Sequence, residues 1–519
     1  MKKLLLILCI LSFMAGFLTL NKYWAPFDEG VAIVGSERVL RGEVPYKDFF
    51  VANYPPGQFY VLSFLYRMFG VSLEIGRFYT VLLHVLIAMC IFLIARKLTE
   101  RTDIAVISWI ISMTCLGPRL GIVSTAIWPG LGFAIFSIYL FMKYIEQDRM
   151  RYLFYSGMAV GAGVLFRHDI GLSAFLSIFA TLLIYKKSVR RICNFAIYSL
   201  AMPLAVLFYL FLKSASKGLF ESLVLFPFIH IKTAALTFPK PCFDLSMIFH
   251  QSLYFIKVNQ YYIPLLTYAF IVIFLISVLI KEKGFGKKHI MLLLLVLFGL
   301  LTFTHVKVRT DPAHLLTIIH PSILLFGFIL NKAVSRDAPA KTKYVFGLYA
   351  ILLSFLFFLL AVKNIDKSFK NVFRKPYKGS VMLTGFDRGS VYIPREEKQD
   401  IVDVVSFIKA NTGPNERIYV GNIAHWVPAF GGSTIIYFLT ERSPSTKYYE
   451  LHPGLVTQEK VQREIVKSLS KENVNFIILQ DIDIPNEGYV HRTMILDNHI
   501  KENFKPVKKF GKYNIYVRK

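Results

Sequence analysis

Repeated apolar runs dominate the first 363 residues of this 519-residue chain and limit what it can fold into. A bilayer core is about 30 Å thick, so an apolar run of roughly 20 residues predicts a helix that crosses it. The chain therefore reads as a polytopic α-helical membrane protein with about eleven spans. The predicted spans lie near residues 4–20, 77–96, 104–118, 122–142, 152–166, 170–185, 194–212, 262–280, 289–304, 315–330 and 344–362.

The positive charge of the chain predicts its orientation in the membrane. The formal net charge is +27, but Lys and Arg recur in short loops between the apolar runs, where the positive-inside bias places them on the cytoplasmic side. We attribute this charge to topology and to anionic lipid, and expect no nucleic-acid partner. The first span is predicted to remain uncleaved with a cytoplasmic N-terminus, in a cell membrane. An odd number of spans then puts the C-terminal region outside, together with the first loop at 21–76 and the other polar clusters.

The composition changes to that of a soluble domain after residue 363, which predicts a membrane domain at 1–363 and an α/β domain at 364–519. The predicted helices cover 400–410, 457–472 and 494–504, and the predicted strands 417–421, 435–439, 474–479 and 513–517. No glycine-rich phosphate loop is present in this domain. The five scattered cysteines have no spacing typical of a zinc or redox site.

The first loop carries an adjacent acidic pair, Asp28 and Glu29, a few residues beyond the first span. Charge near hydrocarbon is costly, which favours a functional role. The alternative is a solvated pair at the start of a helix, where acidic side chains suit the dipole. The stretch from Gly30 to Leu40 is compatible with an amphipathic helix lying in the membrane interface.

The region from Pro26 to Phe69 resembles the first extracytoplasmic loop of GT-C membrane glycosyltransferases. The resemblance rests on the acidic pair, on a Gly-x-x-Pro-Tyr-x-Asp-Phe-Phe segment at 42–50, and on Pro55-Pro56-Gly57. The most similar branch uses polyprenyl-phosphate sugars and includes protein O-mannosyltransferases and lipid A aminoarabinose transferases. The resemblance implies a GT-C fold with a C-terminal extracytoplasmic α/β domain.

In that family the acidic residue after the first span is the proposed catalytic base, which implies this role for Asp28, with Glu29 as its neighbour. Many relatives carry a basic residue just before the Pro-Pro, where this chain has Asn53 and Tyr54. A lipid-phosphate leaving group needs charge stabilisation more than a general acid, so one carboxylate is sufficient. Attack on the anomeric carbon from the face opposite the phosphate predicts inversion.

A second polar cluster, Arg167, His168 and Asp169, interrupts an otherwise apolar segment. Such a cluster can be the ordinary polar turn between two spans, with the arginine snorkelling to the surface. Read functionally, Asp169 is a further catalytic candidate that orients the acceptor or holds a divalent cation. Arg167 or His168 then binds the donor phosphate. A divalent cation is the one cofactor that the sequence leaves open.

A third cluster follows the ninth span, and its simplest interpretation is an ordinary charged loop. Its functional interpretation is a lipid-phosphate site, in which Lys307 and Arg309 donate hydrogen bonds, Asp311 orients them, and His314 lies in the first turn of the next helix. Relatives carry a similar Arg-x-Asp-x-x-His pattern. Alternatively, His305 and His314 form a metal site together with an aspartate, although the spacing of the two histidines does not require one.

We therefore expect an inverting glycosyltransferase that moves a sugar from a polyprenyl-phosphate donor to an extracytoplasmic lipid, glycan or protein. Two other classes stay open. A transporter or flippase of lipid-linked saccharide needs a similar polar cavity but favours internal repeats and broken helices. A membrane-anchored binding protein would use the C-terminal domain as its working part.

Overall fold

The structure is a computed structural model that describes residues 1–116, 121–244, 246–335, 339–373, 379–430, 433–484 and 493–519. Its N-terminal part is helical. The helices are α1 (Lys2–Phe17), α2 (Asp28–Leu40), α3 (Gly57–Phe69), α4 (Leu73–Thr99), α5 (Thr102–Leu116), α6 (Ile127–Gln147), α7 (Met150–Phe166), α8 (His168–Lys186), α9 (Val189–Leu212), α10 (Ser216–Phe220), α11 (Phe226–Ala234), α12 (Met247–His250), α13 (Ser252–Asn259), α14 (Tyr262–Glu282), α15 (Lys287–Val308), α16 (Pro312–Val334) and α17 (Ala340–Phe373). A π-helical turn, Glu221–Leu225, joins α10 to α11.

Each of the predicted spans overlaps one of these helices, and residues 117 and 118 of the third span lie outside the described residues. Among the described residues, eight helices are long and apolar enough to cross a membrane, namely α4, α6, α8, α9 and α14 to α17. The other predicted spans correspond to α1, α5 and α7, which have 16, 15 and 17 residues. These lengths lie at or below the lower limit for a crossing helix. The chain is a multi-pass membrane protein.

The spanning helices differ in how much of their surface other helices cover. In α16 and α6, 83% and 78% of the apolar segment is buried inside the protein, whereas in α9 and α17 the share is 22% and 28%. A helix that is apolar all round belongs either in a protein interior or against lipid. We infer that α6 and α16 form the centre of the bundle and that α9 and α17 face the bilayer.

Helix α2 does not lie in the membrane interface, so that prediction is wrong. Residues 29–38 are all buried, including the expected polar face formed by Ser36, Glu37 and Arg38. Arg38 donates hydrogen bonds to Glu43 (2.7 Å), to the Thr446 carbonyl and to the Asp48 carbonyl, both at 3.0 Å. The polar face therefore pairs with protein groups rather than with headgroups.

The C-terminal domain is α/β, as predicted. A hairpin of β1 (Ser380–Leu383) and β2 (Val391–Pro394) precedes a five-stranded sheet of order β4-β3-β5-β7-β6, in which β3 pairs in parallel with β4 and β5, and β7 in antiparallel with β5 and β6. The sheet strands are β3 (Arg417–Asn422), β4 (Ser443–Pro444), β5 (Phe476–Gln480), β6 (Phe504–Phe510) and β7 (Tyr513–Arg518), and the helices are α18 (Arg395–Asn411), α19 (Ile435–Thr440), α20 (Glu459–Lys471) and α21 (Ile495–Asn503).

One predicted strand is wrong and the predicted domain boundary falls within a helix. Residues 435–439 form helix α19, all of whose side chains are buried. A short apolar run fits a buried strand or a buried helix equally well, and its tertiary contacts decide. The boundary between 363 and 364 lies inside α17, which continues to Phe373.

The C-terminal domain packs directly on the first loop. The Ile435 amide donates to the Pro26 carbonyl at 3.1 Å, the Phe50 amide to the Lys447 carbonyl at 2.9 Å, and the Tyr449 hydroxyl to the Val31 carbonyl at 3.0 Å. Gly30 lies so close to α19 that a Cβ there would be 2.6 Å from the Ile435 nitrogen. The first loop is thus enclosed between the helical bundle and the sheet domain.

Candidate active site

Two adjoining cavities lie where the first loop, the ends of the spanning helices and the C-terminal domain meet. The first has a volume of about 170 Å³ and the second about 240 Å³. Four residues line both cavities, namely Tyr54, Arg167, Arg309 and His314. The two cavities therefore form one site with a shared, mainly cationic wall.

Asp28 lines the first cavity, and its side chain is exposed to it. Its carboxylate has no hydrogen bond or ion pair with any residue that the structure describes. Burial within the pocket raises the pKa of Asp28 and the charge of Asp311 adds to the rise, whereas His452, Arg309 and His314 lower it; the net change is a rise. An unpaired carboxylate with a raised pKa is suited to accept a proton from a ligand.

Glu29 does not line either cavity. Its carboxylate is fully buried and forms two hydrogen bonds with Arg77, at 2.8 Å from Nε and 2.5 Å from Nη2. Arg77 also donates to the Leu20 and Tyr23 carbonyls in the segment that follows α1. The prediction that Glu29 shares the catalytic role of Asp28 does not fit this geometry, because its carboxylate already pairs with Arg77 and ties α2 to α4.

Arg167 and Asp169 form a tight pair at the corner between α7 and α8. The Arg167 Nε and Nη2 atoms donate to the two Asp169 oxygens at 3.0 and 2.6 Å. The Arg167 guanidinium lies 5.2 Å from the centre of the Tyr54 ring, so this arginine supplies positive charge beside the loop position where relatives carry a basic residue. Asp169 also lines the second cavity, so its role toward an acceptor stays a prediction.

Histidines complete the second cavity. His168 and His305 line it, and His305 Nε2 lies 3.4 Å from Asp169. The buried Nδ1 atoms of His168 and His305 have no hydrogen-bond partner among the described residues. Asn53 Oδ1 is a further buried atom of this cavity without such a partner. The cavity therefore presents polar atoms that a bound ligand can satisfy.

Arg309, Asp311 and His314 lie together at the corner between α15 and α16, as predicted. Asp311 is the N-cap of α16, because its Oδ1 accepts the Ala313 and His314 amides at 2.9 and 3.1 Å. Arg309 Nε donates to Asp311 at 2.9 Å, and its two Nη groups have no hydrogen bond to a described residue. Burial alone raises the pKa of Asp311, but the hydrogen bond from His314 and the neighbouring charges lower it to about 2.

Lys307 is not part of the site. Its side chain is exposed on the last turn of α15 and lines neither cavity. Residues in an α-helix face the same side at spacings of three or four, and Lys307 lies two positions from His305, which does line the cavity. The prediction that Lys307 binds the phosphate therefore finds no support in this geometry.

The C-terminal domain contributes two residues to the first cavity that the sequence did not indicate, Phe430 and His452. Phe430 lies under the Arg309 guanidinium, 4.9 Å from the ring centre. No local motif marks either residue. Only the docking of the sheet domain on the first loop brings them beside Asp28.

A cation site is not evident among the residues that the structure describes, since no three His, Cys, Asp or Glu side chains there are grouped to hold a metal ion. The expected acidic ligand, Asp169, pairs with Arg167. The two arginines instead give the shared wall the character of an anion site.

Comparisons with known proteins agree with this geometry. Residues 53–213, under half of the chain, match the family described as dolichyl-phosphate-mannose-protein mannosyltransferase. No curated protein matches the chain by sequence. Among solved structures, ArnT from Cupriavidus metallidurans bound to undecaprenyl phosphate is similar, with 12% identity, a TM-score of 0.57 and coverage of 99% of this chain and 97% of that one. The arabinofuranosyltransferase AftD from Mycobacteria is 13% identical with a TM-score of 0.51, over all of this chain and 40% of AftD.

The chain thus has the fold of the GT-C membrane glycosyltransferases, and the resemblance seen in the first loop is confirmed. The family match begins at Asn53 and includes Tyr54 and Arg167, which line both cavities. Family match and fold together support a membrane glycosyltransferase of the GT-C type.

Proposed function

We propose that this protein transfers a sugar from a polyprenyl-phosphate donor to a hydroxyl acceptor with inversion at the anomeric carbon. The observation that carries the proposal is the position of Asp28, a carboxylate without a partner among the described residues, in a cavity that Arg167 and Arg309 also line. A base and an anion site in one cavity are what displacement of a phosphate by a hydroxyl requires.

The donor phosphate belongs at the wall shared by the two cavities. Arg309 offers two Nη groups there that have no hydrogen bond to a described residue, and Arg167 and His314 add donors from neighbouring helix ends. A planar guanidinium binds a phosphate through two parallel hydrogen bonds. In the similar structure of ArnT the bound ligand is undecaprenyl phosphate, which supports a polyprenyl-phosphate donor for this chain.

Asp28 would remove the proton from the acceptor hydroxyl as its oxygen bonds to the anomeric carbon. The bond between that carbon and the phosphate oxygen breaks at the same time, and the electron pair leaves with the polyprenyl phosphate. Arg309 and Arg167 would stabilise the charge on the leaving phosphate. A single carboxylate in the attacking position gives direct displacement and therefore inversion.

The proposal includes the side of the membrane on which the reaction takes place. The basic loops predict that the cavities and the C-terminal domain face the outside, where a cell-envelope lipid, glycan or protein would be the acceptor. The deciding measurement is the accessibility of single cysteines introduced after Phe373 to a membrane-impermeant reagent. Labelling only from the cytoplasmic side would contradict this orientation.

The proposed chemistry is tested with purified protein in detergent and a panel of polyprenyl-phosphate sugars, by mass spectrometry of the released polyprenyl phosphate. We expect Asp28→Asn to lower kcat by roughly 10²–10⁴ while the protein still binds donor, since an amide cannot accept the proton. Asp403→Asn is the matched control, because Asp403 lies on α18 and lines neither cavity. Full activity of Asp28→Asn would remove Asp28 as the base.

A further inference from the structure

The C-terminal domain inserts a carboxylate and an imidazole, Glu450 and His452, beside the cavity that contains Asp28. His452 lines this cavity, and its Nε2 lies 3.0 Å from Glu450 Oε2. The Glu450 side chain is fully buried. These two residues are the only acid–histidine pair of the sheet domain, among its described residues, that reaches either cavity.

Glu450 also connects the pair to the first loop. Its Oε1 atom accepts the Ala52 amide at 2.7 Å, so one carboxylate holds the imidazole and the loop segment just before Tyr54. A buried carboxylate with two such partners fixes the orientation of the ring that it contacts.

Aromatic rings fix the other sides of His452. Its ring centre lies 5.1 Å from that of Phe27, 5.8 Å from that of Phe430 and 6.2 Å from that of Phe226, all with edge-to-face geometry. Phe27 immediately precedes Asp28, so the imidazole packs against the residue that positions the proposed base. The His452 side chain is only 7% exposed, and this exposed part faces the cavity.

We propose that His452, held by Glu450, is a positioning residue that keeps Asp28 ionised and thereby makes the C-terminal domain part of the active site. This inference rests on the proposed function of Asp28 as the base. A protonated imidazole beside the cavity stabilises the carboxylate in the form that can accept a proton. The domain then controls the reaction through one side chain without contributing a group that reacts.

The charges around Asp28 support this role. Burial raises the pKa of Asp28, and among the charges that oppose this rise His452 has the largest effect, followed by Arg309. The titratable and charged groups that line the cavity with Asp28 are Tyr54, Arg167, Arg309, Asp311, His314 and His452. Of these, His452 is the one that belongs to the C-terminal domain.

The test is the pH dependence of kcat in His452→Gln, which keeps a planar hydrogen-bonding group but carries no charge. Loss of the positive charge raises the pKa of Asp28, so the acid limb of the profile should move to higher pH by about one pH unit. Well above this limb, kcat should return to within about threefold of the wild-type value. A side chain with only a structural role would lower kcat equally at all pH values.

The chain supplies a matched control. His425 is a fully buried histidine of the same domain that pairs with a carboxylate, since its Nδ1 lies 2.8 Å from Asp497, and it lines neither cavity. His425→Gln should leave the acid limb in place. Glu450→Gln, which keeps an oxygen for the Ala52 amide, should move it in the same direction as His452→Gln but less. An unmoved limb in folded His452→Gln, or an equal shift in His425→Gln, would overturn the inference.

A second measurement does not need turnover and so separates this inference from the proposed function. The carboxyl band of Asp28 is followed by infrared spectroscopy against pH and assigned by subtracting the Asp28→Asn spectrum. A titration at higher pH in His452→Gln than in the wild type supports the inference, and an unchanged titration contradicts it. If the wild-type protein releases no polyprenyl phosphate but the titration moves, the proposed function fails while the electrostatic coupling stands.

Discussion

The corners that carry Arg167 and Arg309 are built alike, yet they leave their arginines in different states. Each arginine follows a helix of the bundle, precedes the next one, and pairs with an aspartate two residues later. The two arginines have nearly the same backbone conformation, with φ and ψ of −140° and 93° at Arg167 and −138° and 100° at Arg309.

The difference lies in how many oxygens of each aspartate contact the arginine. Both Asp169 oxygens accept from Arg167, so this pair is closed, and Asp169 also accepts the Ile170 amide at 2.8 Å and lies 3.4 Å from His305 Nε2. Asp311 uses one oxygen to cap α16 and to hold His314, and only the other contacts Arg309. The exposed fraction of the arginine side chain is accordingly 11% at Arg167 and 28% at Arg309. The same short pattern therefore makes a pair with two hydrogen bonds at one corner and a more exposed arginine with one such bond at the other.

The largest effect should come from breaking the closed pair. Arg167→Ala leaves Asp169 as a half-buried charge without its bidentate partner, which we expect to lower the free energy of unfolding by roughly 2–4 kcal/mol. Thermal unfolding in detergent measures this loss. The double variant Arg167→Met with Asp169→Leu should recover much of the stability but not the activity. A fully stable Arg167→Ala protein would contradict the distinction between the two corners.

At the corner that carries Arg309, we expect a substitution to affect stability less and to weaken donor binding. Arg309→Ala should raise KM for the donor by roughly 10–100-fold, which corresponds to the loss of a charge-assisted hydrogen bond, with little change in the unfolding temperature. Arg309→Lys should restore only part of the affinity for the donor, because an ammonium group cannot form the two parallel hydrogen bonds of a planar guanidinium. Lys307→Ala is the control and should leave KM unchanged. Equal KM values for Arg309→Ala and the wild type would remove this corner from the donor site.

The smallest effect concerns the charge on Asp311. Its pKa is about 2 in the folded protein, below the ordinary value of 3.8, so its ionisation stabilises the fold above about pH 4 and this contribution is lost as the pH falls toward 2. Asp311→Asn keeps a capping oxygen but no charge, and should be less stable by roughly 1–2 kcal/mol at neutral pH. The gap between the two unfolding temperatures should close between pH 4 and pH 2. A constant gap across that range would show that the charge is not responsible.

The spans and most of the sheet domain were predictable because both depend on local patterns. The length of an apolar run predicts a spanning helix, and β-branched and aromatic residues predict strands β3, β5 and β7. The prediction failed at α19, where a short apolar segment fits either a strand or a helix. It also failed at α2, which is buried inside the protein instead of lying in the membrane interface. The polar face of α2 looked suited to headgroups because the sequence does not show that Thr446 and Arg388 lie against it.

The site was predictable in its acidic and basic residues but not in their roles. Asp28, Arg167, Arg309, Asp311 and His314 carry charge next to apolar runs, and charge in that position is costly unless it is used. That rule cannot separate Asp28 from Glu29, which are adjacent in sequence; the structure separates them, because Glu29 is buried against Arg77 and Asp28 lines the cavity. Nor can it find Phe430 and His452, whose surroundings in the sequence belong to an ordinary soluble domain.

The sequence by itself determined that this chain spans a membrane many times, ends in an α/β domain and carries a loop similar to that of GT-C glycosyltransferases. These properties follow from hydropathy and short motifs, which neighbouring residues encode. Only the tertiary structure decided which charges are paired and which remain available, and that the C-terminal domain supplies a wall of the cavity. The physical reason is that pairing depends on contacts across long separations, such as the 398 residues between Ala52 and Glu450, and these form only when the two regions pack together.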